Sequence, residues 1–504
     1  MQKIQPDRNT RWLQPGGWGS VHNMNVRLAT WLLAVAWCCP CASATPSDAN
    51  PFDPLKFEDY QARAARGEAS GQALLGRCYA TGQGVAQNPT AAANWFRKAA
   101  DQGDARGQCG LGSCYAMGLG VTKNAAEAVK WYHKSAGQGD ASAQYNLGRC
   151  YLQGDGVTKD AAEAVKWYVK AAEQGDAAGQ YNLGVCYLQG IGVEKNFAEA
   201  VKWLRKAAEQ HQAEAQYNLG VCYKNGEGVA QDFAEAVKWY RKAAEQDLAE
   251  AQFNLGVCYK NGEGVAKDLA EAVKWFRMAA EQGHAKAQYY LGSCYAMGLG
   301  VTKNAAEAVK WMRKAAEQGD APAQFNLGVC YDTGIGVAKD AAEAVKWYRK
   351  AAAQGFAAAQ SHLGYCCQQG AGTAKDAAAA VKWFREAAGQ GYAEAQHNLG
   401  YCYGTGIGVA NDAAAAVKWY RKAAYQGYAP AQHNLGGCYL MGQGVAKDEA
   451  EAYAWYSLAA RNHAAAAKSR DNLEQSMSSP QLAKAQQRAA KLQALIEATP
   501  MPDP

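Results

Sequence analysis

The sequence predicts an all-α array of eleven stacked helix pairs, and three observations predict it. Tryptophan returns every 36 residues, at Trp95, Trp131, Trp167, Trp203, Trp239, Trp275, Trp311, Trp347, Trp383, Trp419 and Trp455. Cysteine keeps the same step, from Cys78 through Cys114 and Cys150 to Cys438. Between these markers, apolar residues recur at helical spacing and are interrupted once per unit by a Gly-x-Gly-Val turn. A fixed period of this size marks a chain in which each unit buries its apolar face against its neighbours. Length alone would suggest about three domains, but residues 71–466 divide into eleven units of 36 without insertion or deletion.

The N-terminus reads as an address. Arg27 precedes LATWLLAVAWCC, Pro40 breaks the apolar run, and Ala42-Ser43-Ala44 supplies a small-x-small cleavage pattern. The run is too short for a membrane span. Trp37 and Cys38, which precede Cys38 and Cys39, are not the small residues of a lipid-anchor signal. Residues 1–44 are therefore expected to be a signal region, with Met24 as an alternative start. The mature chain is expected to be exported, periplasmic or secreted, with the lumen of the endoplasmic reticulum as the alternative. No later stretch is apolar enough to hold it in a bilayer. Residues 1–44 hold Lys3, Arg8, Arg11 and Arg27 against Asp7, so cleavage after Ala44 lowers the formal charge from +6 to +3. That charge is too small and too evenly spread to mark a nucleic-acid or membrane footprint. Residues 45–70 then form a linker and a leading cap, in which PLKFEDYQARAAR (54–66) carries Asp59 in the tryptophan's place.

One unit, 215–250, shows the local logic. Ala215, Leu219, Cys222 and Tyr223 lie on one helical face, and Asn225-Gly226-Glu227-Gly228 ends that helix. Asp232 stands where an N-cap belongs, and Glu235 is placed to complete a capping box. In the first unit Asn88-Pro89 fills this position, with proline at the first helical residue. A second helix follows, burying Ala236, Val237, Tyr240, Ala243 and Ala244 and keeping Lys238, Arg241 and Lys242 in water. Small residues such as Gly220 let the helices approach, and Trp239 and Tyr240 fill the space left. Beyond 466 the region 467–504 holds a closing cap: Ser479-Pro480 starts QLAKAQQRAAKLQALIE, and the tail ATPMPDP follows.

These residues closely resemble the Sel-1-like repeat family, whose pattern AxxxLGxxYxxGxGV then AxxWxxKAA is met by Ala215, Leu219-Gly220, Tyr223, Gly226, Gly228-Val229, Ala236, Trp239 and Lys242-Ala243-Ala244. The resemblance covers nearly all of the chain after residue 70. It implies tetratricopeptide-like antiparallel helix pairs wound into a right-handed α-solenoid with capping helices, whose first helices line a concave surface.

The repeated cysteines are expected to be compact buried filler. Equivalent residues of a stack lie a helix spacing of about 8–10 Å apart, beyond the roughly 7 Å that a disulfide tolerates between Cα atoms. Within the repeats no CxxC pair or companion histidine supplies a metal site, although redox, metal and disulfide roles remain as alternatives. A cysteine-rich branch of the resembled family, which includes proteins described as β-lactamases, bridges its helices by disulfides. The places it uses read Ala243-Ala244 and Ala251-Gln252 here. Cys109 lies off the ladder and Cys367 replaces the repeated tyrosine. Their redox state is left open, and so many thiols sit awkwardly with an oxidising compartment.

No catalytic constellation appears. HExxH, GxSxG and a phosphate loop are absent, no serine precedes a lysine by three, and SDN and KTG do not occur. The Gly-x-Gly-Val segments follow helices, not strands, and read as turns. Glu163, Glu199, Glu235 and Glu271 recur at helix starts, where capping accounts for them, and the histidines 133, 211, 284, 397 and 433 share no common place. No cofactor, metal or catalytic residue is expected.

What remains is a surface. By the tetratricopeptide likeness, the concave face is lined by Tyr217, Val221, Lys224, Asn225 and their equivalents. Along the row of Tyr217 six aromatics follow one another, Tyr145, Tyr181, Tyr217, Phe253, Tyr289 and Phe325, before Ser361, His397 and His433. They either pack between adjacent first helices or anchor an extended peptide or helix. The expected function is thus a non-catalytic scaffold or adaptor for protein or peptide partners. A cell-wall-directed or β-lactamase-like enzyme is the first alternative and a structural spacer the second. Residues 111–131 recur letter for letter at 291–311, so likeness between units says little about function, and departures from the pattern say more.

Overall fold

The computed structural model describes residues 54–498; the expected signal region lies outside them. Among the described residues there are twenty-five α-helices and no strand. Helices alternate as first and second members of successive pairs, an α-solenoid as the 36-residue period predicts. No described helix is long and apolar enough to cross a membrane.

The pair Ala213–Asn225 and Phe233–Ala244 shows how sequence becomes structure. Gly226 takes the left-handed conformation (φ 74°) and donates its N–H to the Cys222 carbonyl at 2.9 Å, closing the first helix. Asp232 opens the second by accepting the Glu235 N–H at 2.9 Å. The capping box does not form. The Asp232 N–H is already bonded to the Tyr223 carbonyl at 2.9 Å, so the Glu235 carboxylate turns instead to Lys238 Nζ at 2.8 Å.

Gly228 has a different task from Gly226. Its φ is similar at 73°, but a Cβ there would stand 2.2 Å from the Phe197 carbonyl oxygen of the preceding pair. The turn therefore rests directly on the start of the neighbouring second helix. Inside the pair, a Cβ on Gly220 would lie 2.7 Å from the Tyr240 ring, so glycine sets the distance between the two helices.

The interface between pairs is mainly alanine, leucine and one aromatic. Ala215, Leu219, Ala243 and Ala244 are fully buried, and Tyr240 and Cys222 nearly so. A glutamine ladder crosses this apolar layer. Gln216 Nε2 donates to the Ala208 carbonyl at 3.0 Å, and Gln246 Nε2 donates to Gln216 Oε1 at 2.8 Å. One buried amide thus joins two helices and the turn that follows a third, with its oxygen and nitrogen both satisfied. The same link recurs at Gln102–Gln72, Gln138–Gln108, Gln174–Gln144 and Gln210–Gln180, and again at Gln318–Gln288, Gln354–Gln324, Gln390–Gln360 and Gln426–Gln396.

The described residues fall into two compact units, 54–268 and 269–498. In the N-terminal unit the leading helix Pro54–Ala65 packs on Ala69–Thr81. In the C-terminal unit the closing helix Ser479–Ala498 packs on Glu449–Ala459, burying Ala485 and Leu492. Between these two runs a further helix, Ala464–Ser476, that the repeat pattern does not announce.

Candidate functional site

Thirteen described cysteines are thiols, twelve of them buried and Cys438 half-buried. Burial pushes the Cys222 thiol up to about 12, far from the thiolate that redox or metal chemistry uses. Cys109 and Cys367 are buried as well. The described residues contain no group of three or more histidine, cysteine, aspartate or glutamate side chains placed to hold a metal ion.

The aromatic row sits deeper than a groove lining would. In the N-terminal unit Tyr181 keeps 7% and Phe253 9% of its surface, while Tyr145 and Tyr217 are half-buried. In the C-terminal unit Tyr289 keeps 4% and Phe325 2%. Three of the rings are covered by an aromatic of their own pair: Tyr145 meets Tyr168 at 6.1 Å between centroids, Tyr217 meets Tyr240 at 5.8 Å, and Phe325 meets Tyr348 at 5.7 Å. The polar edge is tied to the next pair. Asn254 Nδ2 donates to the Tyr217 hydroxyl at 3.1 Å, and Asn326 Nδ2 to the Tyr289 hydroxyl at 3.2 Å. These rings lock layers together; only Tyr145 and Tyr217 offer appreciable area to a partner.

The rest of the expected lining is more open. Val221 and Lys224 are half-buried and Asn225 is exposed. With Tyr217 they form the outward stripe of the helix Ala213–Asn225, one turn after another.

In the C-terminal unit the same stripe changes character. Val329 gives way to Tyr365 and Tyr401, both half-buried. Beside them the N-cap position loses its acid. Asp320 caps its helix by accepting the Ala323 N–H at 2.8 Å, but Phe356, Tyr392 and Tyr428 stand in the following places and make no side-chain cap bond. A lost cap costs about 1 kcal/mol, and ring packing offsets it: Phe356 meets Phe325 at 5.5 Å and Tyr428 meets His397 at 5.5 Å. Sequence reading passed over these aromatics because they lie outside the helical period. The signal was the replacement of a repeated aspartate.

The aromatic row ends in histidines. His397 packs on Tyr420 at 5.7 Å and its Nε2 lies 3.0 Å from Asn434 Nδ2. His433 stacks on His463 at 4.9 Å, and His463 caps the helix Ala464–Ser476 by accepting the Ala466 N–H. Desolvation, with smaller contributions from His463 and His433, holds the His397 imidazole down to about 4 despite its bond to Asn398. Desolvation, with a smaller contribution from His463, also lowers the His433 imidazole, so the aromatic surroundings disfavour the charged form of both.

Comparison with known proteins follows the same lines. The Sel1 repeat matches eleven times, over residues 69–104, 105–140, 141–176, 177–211, 213–248, 249–284, 285–320, 321–356, 357–392, 393–428 and 429–463. A protective antigen of uropathogenic Escherichia coli strains, described as displaying an SLR fold, is similar at 38% identity and a TM-score of 0.80, over 87% of this chain and 95% of that one. A Sel1 repeat protein from Oxalobacter formigenes is 34% identical with a TM-score of 0.47, over 61% of this chain and 88% of its own. Among curated proteins no relative matches. With eleven consecutive matches and helix pairs that follow them turn for turn, the chain belongs to the Sel1 repeat family.

Proposed function

We propose that this chain is an exported, non-catalytic scaffold that binds protein or peptide partners along the outward stripes of its first helices. Sel1 repeat solenoids generally serve as protein-interaction scaffolds. The observation that carries the finer reading is the half-buried pair Tyr365 and Tyr401, flanked by Phe356 and Tyr392, on the C-terminal unit. Tyrosines that keep an open edge supply large contact area with little rotamer entropy to lose, which is why they dominate interface energies. Tyr145, Tyr217, Val221, Lys224 and Asn225 offer a second, more polar stripe on the N-terminal unit.

Export rests on the reading of residues 1–44. It is supported by the Escherichia coli relative, which is a protective antigen. The reading is tested by capturing partners from an envelope extract with the chain from residue 45. Tyr365→Ser/Tyr401→Ser, matched to the parent by circular dichroism, is run beside it. A partner held by the parent and lost by the variant supports the reading. Equal retention by both refutes the assignment to this face.

A further inference from the structure

Seven second helices carry the same ion pair. From Lys130–Glu127 to Lys346–Glu343, a lysine holds the glutamate three residues earlier with N–O distances of 2.6 to 3.4 Å. The ninth and tenth repeats break this pattern. Their second helices, Ala377–Gly389 and Ala413–Tyr425, keep the lysine as Lys382 and Lys418 but have Ala379 and Ala415 where the glutamate belongs. Among the described residues neither lysine makes an ion pair. The acid near the helix end is gone too: the place of Glu317 reads Gly389 and Tyr425.

The result is a cationic face. Lys382, Arg385, Lys418, Arg421 and Lys422 are exposed, and the two helices hold a single carboxylate, Glu386, which accepts from Gln360 Nε2 at 3.4 Å. Asp376 and Asp412 lie at the helix starts and are engaged there, each accepting a backbone N–H at 2.9 Å. By contrast, Ala305–Glu317 sets Lys310, Arg313 and Lys314 against Glu307 and Glu317. The arginines are also positioned. Arg385 donates to the Tyr403 hydroxyl at 3.4 Å and Arg421 to the Tyr439 hydroxyl at 2.9 Å, leaving the rest of each planar fork for another acceptor.

The repeats themselves show what this lysine holds when its partner is built in, namely a glutamate carboxylate. We propose that the outward face of the second helices of repeats nine and ten binds an acidic polypeptide segment whose carboxylates take the places of the missing glutamates. The segment meets two lysines one repeat apart, with the guanidiniums beside them. This site lies on the second helices and is separate from the first-helix stripe, so either can fail without the other.

The test is fluorescence anisotropy of the full chain with fluorescein-labelled deca-glutamate. Ala379→Glu/Ala415→Glu restores the internal carboxylates in a setting where seven repeats already carry them, so the fold is kept. Deca-glutamate should bind with an affinity that falls as salt rises, and the double variant should weaken it about tenfold. Glu307→Ala/Glu343→Ala, which frees two more lysines, should tighten it. Tyr365→Ser/Tyr401→Ser should leave it unchanged. Equal binding by Ala379→Glu/Ala415→Glu overturns the proposal. So does tighter binding of a single-stranded DNA oligonucleotide or of phosphatidylglycerol vesicles than of deca-glutamate, since the face would then be a general polyanion surface.

Discussion

Two alanine substitutions in one turn separate backbone conformation from contact between repeats. Gly226 and Gly228 share a left-handed φ, 74° and 73°. Either change to alanine brings the steric penalty of that conformation, about 1–2 kcal/mol. At Gly226 the new methyl meets only Gln231, at 3.4 Å from its Cβ and 3.5 Å from its backbone nitrogen, ordinary contacts. At Gly228 it would lie 2.2 Å from the Phe197 carbonyl oxygen and 2.4 Å from its carbon. Backbone atoms cannot rotate away, so adjacent repeats must separate, adding about 1–3 kcal/mol as overpacking does. Gly228→Ala should therefore cost about twice as much as Gly226→Ala. Arrays of this kind lose stability locally, so the assay is hydrogen exchange across Phe197–Glu209 and Ala213–Asn225, not a single melting temperature. Gly228→Ala should raise exchange in both helices, and Gly226→Ala mainly at the C-terminal end of the second. Equal effects would show that Gly228 is needed only for its φ, and the inter-repeat contact would lose its assigned role.

Other outcomes follow from the same structure. Because the folded His397 is held near 4 against an ordinary 6.5, acidification protonates the unfolded chain first. Stability of the C-terminal unit is then full above about pH 6.5 and falls toward pH 4, by up to roughly 3 kcal/mol. His397→Tyr, which places here the residue found at Tyr217 and Tyr289, should remove most of that loss in exchange measurements at the two pH values. Serine at the buried Tyr181 and Phe253 should cost about 3 kcal/mol per site through lost packing, and less at the half-buried Tyr217, so exchange protection drops before any partner is tested. Serine at the half-buried Tyr365 should cost about 1 kcal/mol. Cys222→Ser buries a hydroxyl in an apolar layer and should cost about 1–3 kcal/mol. In the native chain from residue 45, an aromatic disulfide reagent should reach Cys438 well before the other thiols. Gln216→Leu removes the acceptor of the Gln246 amide and a donor to the Ala208 carbonyl, at about 1–3 kcal/mol, read as faster backbone amide exchange in Phe197–Glu209 and Ala213–Asn225.

The sequence carried the helix pairs because each boundary has its own chemistry. Gly226 needs φ > 0 and Asp232 needs N–H donors, and both requirements are local. The capping box at Glu235 failed for a reason no short window contains: Asp232 is already bonded to a carbonyl nine residues back. The row of Tyr217 was legible as a row, with packing between first helices and partner anchoring both left open. Periodicity places residues on one stripe without saying that Tyr240 covers the ring from behind or that Asn254 takes its hydroxyl. The glutamine ladder escaped notice because Gln216 and Gln246 are each unremarkable polar residues until thirty residues of chain are folded back. The helix Ala464–Ser476 escaped for the opposite reason. AAAAKSRDNLEQS lacks the Leu-Gly and tryptophan marks, yet it packs on the last second helix all the same. Ala379 and Ala415 stand in the sequence as departures from a repeated glutamate, but they gain meaning only beside the ion pairs of the other repeats.

The most direct test of the scaffold account is the hydrogen-exchange footprint of a captured partner on the full chain. Protection on the first helices around Tyr365 and Tyr401, or along Tyr217, Val221 and Lys224, is the predicted result. A footprint confined to the turns at Gly226 and its equivalents, with both helix faces unchanged, would contradict it.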